Sequence, residues 1–210
     1  MNENFPEKIP IFPLSGVIYF PRTNLPLNIF ETRYLKLVND CMKTNKLMGM
    51  VQMKKDGVEV YKIGCLGKIN EFQKTDDGRI IINLVGITRF EIIKEIESSK
   101  LYREFIVEYN KFHSDLKNEE NEKMKEQDLE LLFKKTKSFF KKNGLILNWN
   151  EFKKLNLTQQ INTLSMIAPV SNEEKQKLLE TINVNDKSKT LSEIIEFYLH
   201  EKSLSKKTIQ

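Results

Sequence analysis

The sequence predicts an α+β chain in which a small twisted β barrel with one inserted helix is followed by an α-helical bundle. Three observations carry that expectation. In the first half the apolar residues fall in short extended runs punctuated by proline and glycine. One early stretch, ETRYLKLV, repeats them at helical spacing instead. Beyond His113 helical spacing takes over entirely.

Taken in order, IPIFPL (9–14) and LPLNIF (25–30) are extended runs carrying Pro10, Pro13 and Pro26, with Pro21 between them. Each proline withholds a backbone donor, which places these segments at a barrel rim or sheet edge. The second run passes without a loop or glycine into the helical stretch, a structural corner bearing Glu31, Arg33 and Lys36. LMGMVQM (47–53) is a continuous apolar strand whose Gly49 signals close backbone approach. GCLGKINEFQK then meets RIIINLVGITRFEII across Asp76-Asp77-Gly78, the clearest hairpin in the chain. YREFIVEYNKF (102–112) alternates as a last strand. Six or so strands result, so that residues 1–113 form the barrel domain.

Residues 114–122 are polar and charged without apolar period, a linker or frayed helix start. Residues 123–210 then read as the bundle. A helix over 123–143 stops at Asn143-Gly144. Shorter helices follow over 149–155 and 158–167. Ser171 and Glu174 form a capping box that opens a helix to about residue 182, and a last helix covers roughly 189–203.

Composition excludes several classes of function. Lys and Arg number 34 against 29 Asp and Glu, a net charge of +5, too balanced for a dedicated nucleic-acid binder. Two cysteines, Cys41 and Cys65, exclude a disulfide framework and a multi-cysteine zinc site. The N-terminus is acidic and proline-rich where a signal peptide needs a basic start and a helix, and no apolar run approaches the ~18 residues of a membrane span. A cytoplasmic protein without membrane contact is expected.

Catalytic motifs are missing as well. Gly64-Cys65-Leu66-Gly67-Lys68 lacks the spacing and ending of a P-loop. Ser15-Gly16 has no histidine nearby to activate it. His113 and His200 stand on separate elements without a second ligand at metal spacing, so no metal or cofactor is expected. Met48, Met50 and Met53 read as core filling. Tyr19, Phe20 and Arg22 have the chemistry to stack and hold RNA, but no basic cluster follows them.

In their order and spacing, several short motifs closely resemble the N-terminal substrate-binding domain of the Lon (La) ATP-dependent proteases, in its free-standing bacterial form. They are Pro13-Leu14, Pro21, Leu25-Pro26-Leu27, Phe30-Glu31-x-Arg33-Tyr34, Ile63-Gly64-Cys65-x-Gly67-x-Ile69, the DDGR turn, and Gly86-Ile87-x-Arg89-Phe90. The likeness continues into INTLSMIAPVSNEEKQKLLE. The resemblance implies a PUA-like barrel followed by a helical bundle, which agrees with the two rhythms of the chain. It also implies a non-catalytic protein that binds unfolded or extended polypeptides, as an adaptor or holdase linked to proteolysis, with a separate protease as a further partner. The ATPase motifs and serine-lysine dyad of the whole protease are not found in the sequence. By the same resemblance, Thr32, Arg33 and Lys36 at the corner are the candidate polypeptide-binding residues. A structural reading competes, in which Arg33 pairs with Glu31. The alternatives by function are an RNA-binding PUA-like module and, more remotely, a peptidase.

Overall fold

The structure, a computed structural model, describes residues 5–117 and 124–205, with side chains as far as His200. It divides into two compact units, Met1–Lys117 and Asn118–Gln210. Of the expected linker, residues 118–122 lie outside the described residues.

The first unit holds six strands: β1 (Lys8–Leu14), β2 (Asn24–Ile29), β3 (Leu47–Gln52), β4 (Ile63–Lys74), β5 (Ile80–Ile96) and β6 (Arg103–Glu108). Helix α1 (Thr32–Met42) stands between β2 and β3. The sheet runs β2-β5-β4-β3-β1-β6, and β6 also pairs with β5, closing five of the strands into a ring. The parallel pair is β1 with β3, joined by the long crossover that contains β2 and α1. Inside the ring Ile9, Ile11, Val51, Leu66, Phe90, Phe105 and Val107 form one buried cluster. Burying each such side chain stabilises the fold by about 1.5–3 kcal/mol before ordering costs.

The alternation of β3 puts Met48 and Met50 on the opposite, outer face, where both are buried. Helix α1 buries Tyr34, Leu37, Val38 and Cys41 along one stripe, and Tyr34 stacks on Phe12 of β1 with ring centroids 4.1 Å apart. At the far end of β4, Gly78 takes φ +84° in the DDG turn, as the hairpin requires.

The prolines of β1 do not mark an edge: β1 lies inside the ring, flanked by β3 and β6. The registers explain how it tolerates them. β6 pairs with residues 8–11 and β3 with residues 11–14, so Pro10 and Pro13 each lie where β1 has one neighbour. Among the described residues only β2 is an edge strand throughout, and it carries Pro26.

The chain leaves the ring through a 3-10 segment, Asn110–Leu116, where sequence alternation had suggested continued strand. The second unit is helical: α2 (Glu126–Lys142), α3 (Trp149–Phe152), α4 (Leu157–Ile167), α5 (Asn172–Glu180) and α6 (Val184–Ser205). Phe139, Phe140, Phe152, Ile161, Leu164, Leu178, Leu179, Leu191 and Ile195 are buried in it. The Ser171/Glu174 capping box forms as read, and Asn156 with Gln159 forms a second one. α6 begins about five residues earlier than the sequence predicts, because the Asn183 side chain accepts from the Asp186 N–H at 2.8 Å and caps it.

Candidate functional site

Two places on the first unit concentrate the residues that the sequence singled out. The first is the corner between β2 and α1. β2 ends at Ile29, and the Glu31 carbonyl already accepts from the N–H groups of Tyr34 and Leu35, both at 2.9 Å, so the turn takes two residues. Phe30 has no place in the core. It is 67% exposed, although the sequence groups it with the structural motif. On β2 Leu27 is half-buried, while Pro26 and Asn28 face solvent.

Thr32 is the exposed first residue of α1. Arg33 donates to the Glu31 carboxylate, Nε to Oε2 at 3.0 Å and Nη2 at 2.8 Å, and its guanidinium lies 4.5 Å from the centre of the Tyr34 ring. Lys36 pairs with Asp40 one turn on, at 3.2 Å. Both cations stay about half exposed, so these pairs hold them in place at little energetic cost to a competing partner. Asp40 also accepts from the Tyr102 hydroxyl at 3.0 Å, which ties the end of α1 to the barrel. Burial alone would raise the Asp40 pKa, but the hydrogen bonds from Lys36 and Tyr102 outweigh it and hold the carboxyl below its usual value.

The second place is a gap on β5. β2 pairs with residues 80–85 of that strand and β6 with 91–96, so residues 86–90 have β4 alone as a partner. Side chains and loops from outside the sheet fill the vacant side. The Gly86 N–H donates to the Thr23 carbonyl at 3.0 Å, and the Gly86 carbonyl accepts from Arg22 N–H at 2.9 Å. A side chain on Gly86 would collide with the Phe20 carbonyl oxygen, so only glycine fits. Arg22 itself takes φ +61°, and its Nη2 donates to the carbonyls of Asp115 and Lys117 at 3.1 and 2.7 Å.

Asp115 closes the other end of the gap. Its carboxylate accepts from the Arg89 backbone N–H and Nε, each at 2.9 Å, and from Nη2 at 2.7 Å. The Arg89 side chain is 2% exposed and that of Asp115 7%, and the guanidinium lies 4.3 Å from the centre of the Phe112 ring. The 3-10 segment is thereby latched to the barrel, which is why the first unit extends past His113 to Lys117.

Burial removes the chemistry of other candidates. Tyr19 and Phe20 are buried and present no ring to a base. Cys41 and Cys65 are buried thiols outside any disulfide, and burial pushes the Cys41 thiol up to about 12. Among the described residues no three His, Cys, Asp or Glu side chains gather as a metal site, and no helix is long and apolar enough to cross a membrane.

The sequence model of the ATP-dependent protease La (LON) substrate-binding domain matches residues 8–196. The chain belongs to that family.

The Lon protease of Dictyoglomus thermophilum is 28% identical over 201 residues, covering 88% of this chain and 24% of that protein. The Lon protease of Flavobacterium johnsoniae is 32% identical over 107 residues, covering 48% of this chain and 13% of that protein. The chain thus spans a quarter or less of these two relatives. Among solved structures, a Lon N-terminal domain protein from Xanthomonas campestris superposes with a TM-score of 0.63 at 20% identity, covering 88% of this chain and 96% of that one. The N-terminal domain of the Mycobacterium avium complex Lon protease gives the same TM-score at 14% identity, covering 90% and 98%. The fold is therefore that of a Lon N-terminal domain.

With the Lon family established, most of its short motifs acquire structural reasons in this chain. Pro21 packs against the Gly86 approach, and the Pro13 carbonyl accepts from the Tyr34 hydroxyl at 3.3 Å. Leu14 ends β1, and its carbonyl accepts from Met53 N–H. Leu25 and Phe90 are core residues, and side chains on Gly64 or Gly67 would strike Phe90 and Leu84. Sequence reasoning missed Asp115, the partner that gives Arg89 its purpose, because it lies in the stretch that looks like linker. Its one signal was an acidic residue in that stretch, 26 residues beyond a motif arginine.

Proposed function

We propose that this Lon-family chain binds unfolded or extended polypeptide segments without cutting them, as an adaptor or holdase linked to proteolysis. The observation that carries the reading is the corner surface. There a largely exposed phenylalanine, Phe30, stands between an edge strand and the half-exposed cations Arg33 and Lys36. Apolar area flanked by positive charge suits a chain that offers exposed side chains, backbone carbonyls and scattered carboxylates. The family's description as a substrate-binding domain supports the same reading.

The test is fluorescence anisotropy of a labelled, permanently unfolded polypeptide titrated with the protein, beside a labelled single-stranded RNA at two salt concentrations. Saturable, salt-tolerant polypeptide binding that weakens severalfold in the Phe30→Ser variant is the expected result. Salt-sensitive RNA binding without a polypeptide signal would replace the reading with the nucleic-acid one. Charge removal at Arg33 and Lys36 together distinguishes their role, since unchanged affinity in a folded double variant confines those residues to the corner itself.

A further inference from the structure

We propose that the bound segment joins the barrel as an additional strand on the open edge of β2, so that its main chain is what this protein recognises. The inference rests on the polypeptide-binding reading and adds its mode. Among the described residues β2 ends the sheet, and its single ladder is with β5. The phase of that ladder follows from the Gly86 N–H bond to the Thr23 carbonyl. With Asn24 opposite Val85 and Leu25 opposite Leu84, antiparallel alternation makes Leu25, Leu27 and Ile29 the residues that exchange bonds with β5.

Asn24, Pro26 and Asn28 therefore turn their main-chain groups to the open side. They offer three carbonyl acceptors, and N–H donors at the two asparagines alone, because Pro26 has none. Successive outward groups recur about every 6.8 Å, the two-residue repeat of an extended chain. All three residues are exposed. Ile81, opposite Asn28 on β5, adds apolar surface on the same face, and Phe30 lies just past the strand end.

The arrangement favours an extended polypeptide over a second copy of this chain. In the symmetric register two β2 edges would set Pro26 against Pro26 with no donor on either side. A six-residue edge also falls far short of the roughly 20–30 residues per side of a stable dimer. A flexible segment supplies its own donors opposite the three carbonyls and tolerates the missing one. Recognition through the main chain also explains how a binding surface accepts segments without a shared side-chain pattern.

The experiment compares two labelled decapeptides of identical side chains, rich in Val, Ile and Tyr, one with its four central amides replaced by esters. Wild-type protein should bind the ester form at least tenfold more weakly. Asn28→Pro, which removes an edge donor, should weaken the parent peptide by a similar factor, while Asn28→Ala, which keeps the N–H, should stay within twofold. Equal binding of both peptides would overturn the added-strand mode and leave polypeptide binding standing. Binding of neither, with the unfolded polypeptide also unbound, would remove the underlying reading as well. If Asn28→Pro fails to fold, the peptide pair still decides. A monomer–dimer equilibrium in sedimentation that Asn28→Ala leaves intact and the peptide cannot compete with would assign the edge to a second copy and overturn the proposal.

Discussion

Replacing Asp115 with alanine should destabilise the first unit more than any surface change near it. The substitution removes the acceptor of three hydrogen bonds and takes the Asp115 charge away from the buried Arg89 guanidinium. Removing one partner from a buried ion pair costs about 3–5 kcal/mol. For a unit of this size that corresponds to a fall in Tm on the order of 10 °C or more. Asp115→Asn, which keeps one carbonyl acceptor but no charge, should fall between alanine and wild type. The apolar pair Arg89→Met with Asp115→Leu should recover part of the loss, since no charge remains buried. It should still sit about 1–2 kcal/mol below wild type, because the main-chain N–H of residue 89 loses its Asp115 acceptor. Urea unfolding followed by circular dichroism gives the magnitudes. Trp149, the single tryptophan, lies in the helical unit, so its fluorescence provides an internal reference transition. A loss below about 1 kcal/mol for Asp115→Ala would refute the reasoning, because it would mean that the pair is solvated and the 3-10 segment is not latched.

Three further outcomes follow from the same geometry. Gly86→Ala should cost about 1–3 kcal/mol in the same unfolding assay, because the obstacle to its Cβ is the Phe20 carbonyl rather than a flexible side chain. Cys41, whose thiol is raised to about 12 by burial, carries only about 10⁻⁴ thiolate at pH 8, so an aromatic disulfide reagent should modify it only as fast as the protein opens. The last concerns acid. Burial alone would raise the Glu104 pKa, but Lys100 at 2.8 Å and Lys8 at 3.3 Å outweigh it and lower the carboxyl below its usual 4.5. A lowered folded value means stability that is fully present above 4.5 and lost as pH falls below it. Glu104→Gln should therefore be less stable than wild type at pH 7 and converge on it in acid, as chemical unfolding across pH 3–7 would reveal.

How much of this was legible in the residues depended on whether the signal was local. The Asp76-Asp77-Gly78 hairpin, the Ser171 capping box and the Asn143-Gly144 stop fall where their residues placed them, since each is decided within a few residues. The prolines of β1 misled because a strand can be central in the sheet and still have one neighbour at each proline, which only the registers reveal. The strand read through 102–112 ends at Glu108, where Phe112 turns under Arg89 instead of continuing the ladder. At the candidate site, the corner and its exposed cations followed from the sequence. Pro26 also marked β2 as an edge strand, but which of its main-chain groups face outward did not follow, because that phase is set by the register with β5. The Arg33–Glu31 pair formed as the structural reading anticipated, yet both groups remain half exposed.

The closure of the ring by β6 has a consequence for synthesis on the ribosome. β1, near the start of the chain, finds its second partner only in residues 103–106, and β5 finds the partner of its second half in residues 104–108. Until that segment has emerged, the nascent chain carries β1 and the later part of β5 as two uncapped edges, and Arg89 waits a further seven residues for Asp115. A pause in translation before residue 103 has emerged would thus prolong an aggregation-prone intermediate, while a pause after residue 115 has emerged would find the barrel able to close.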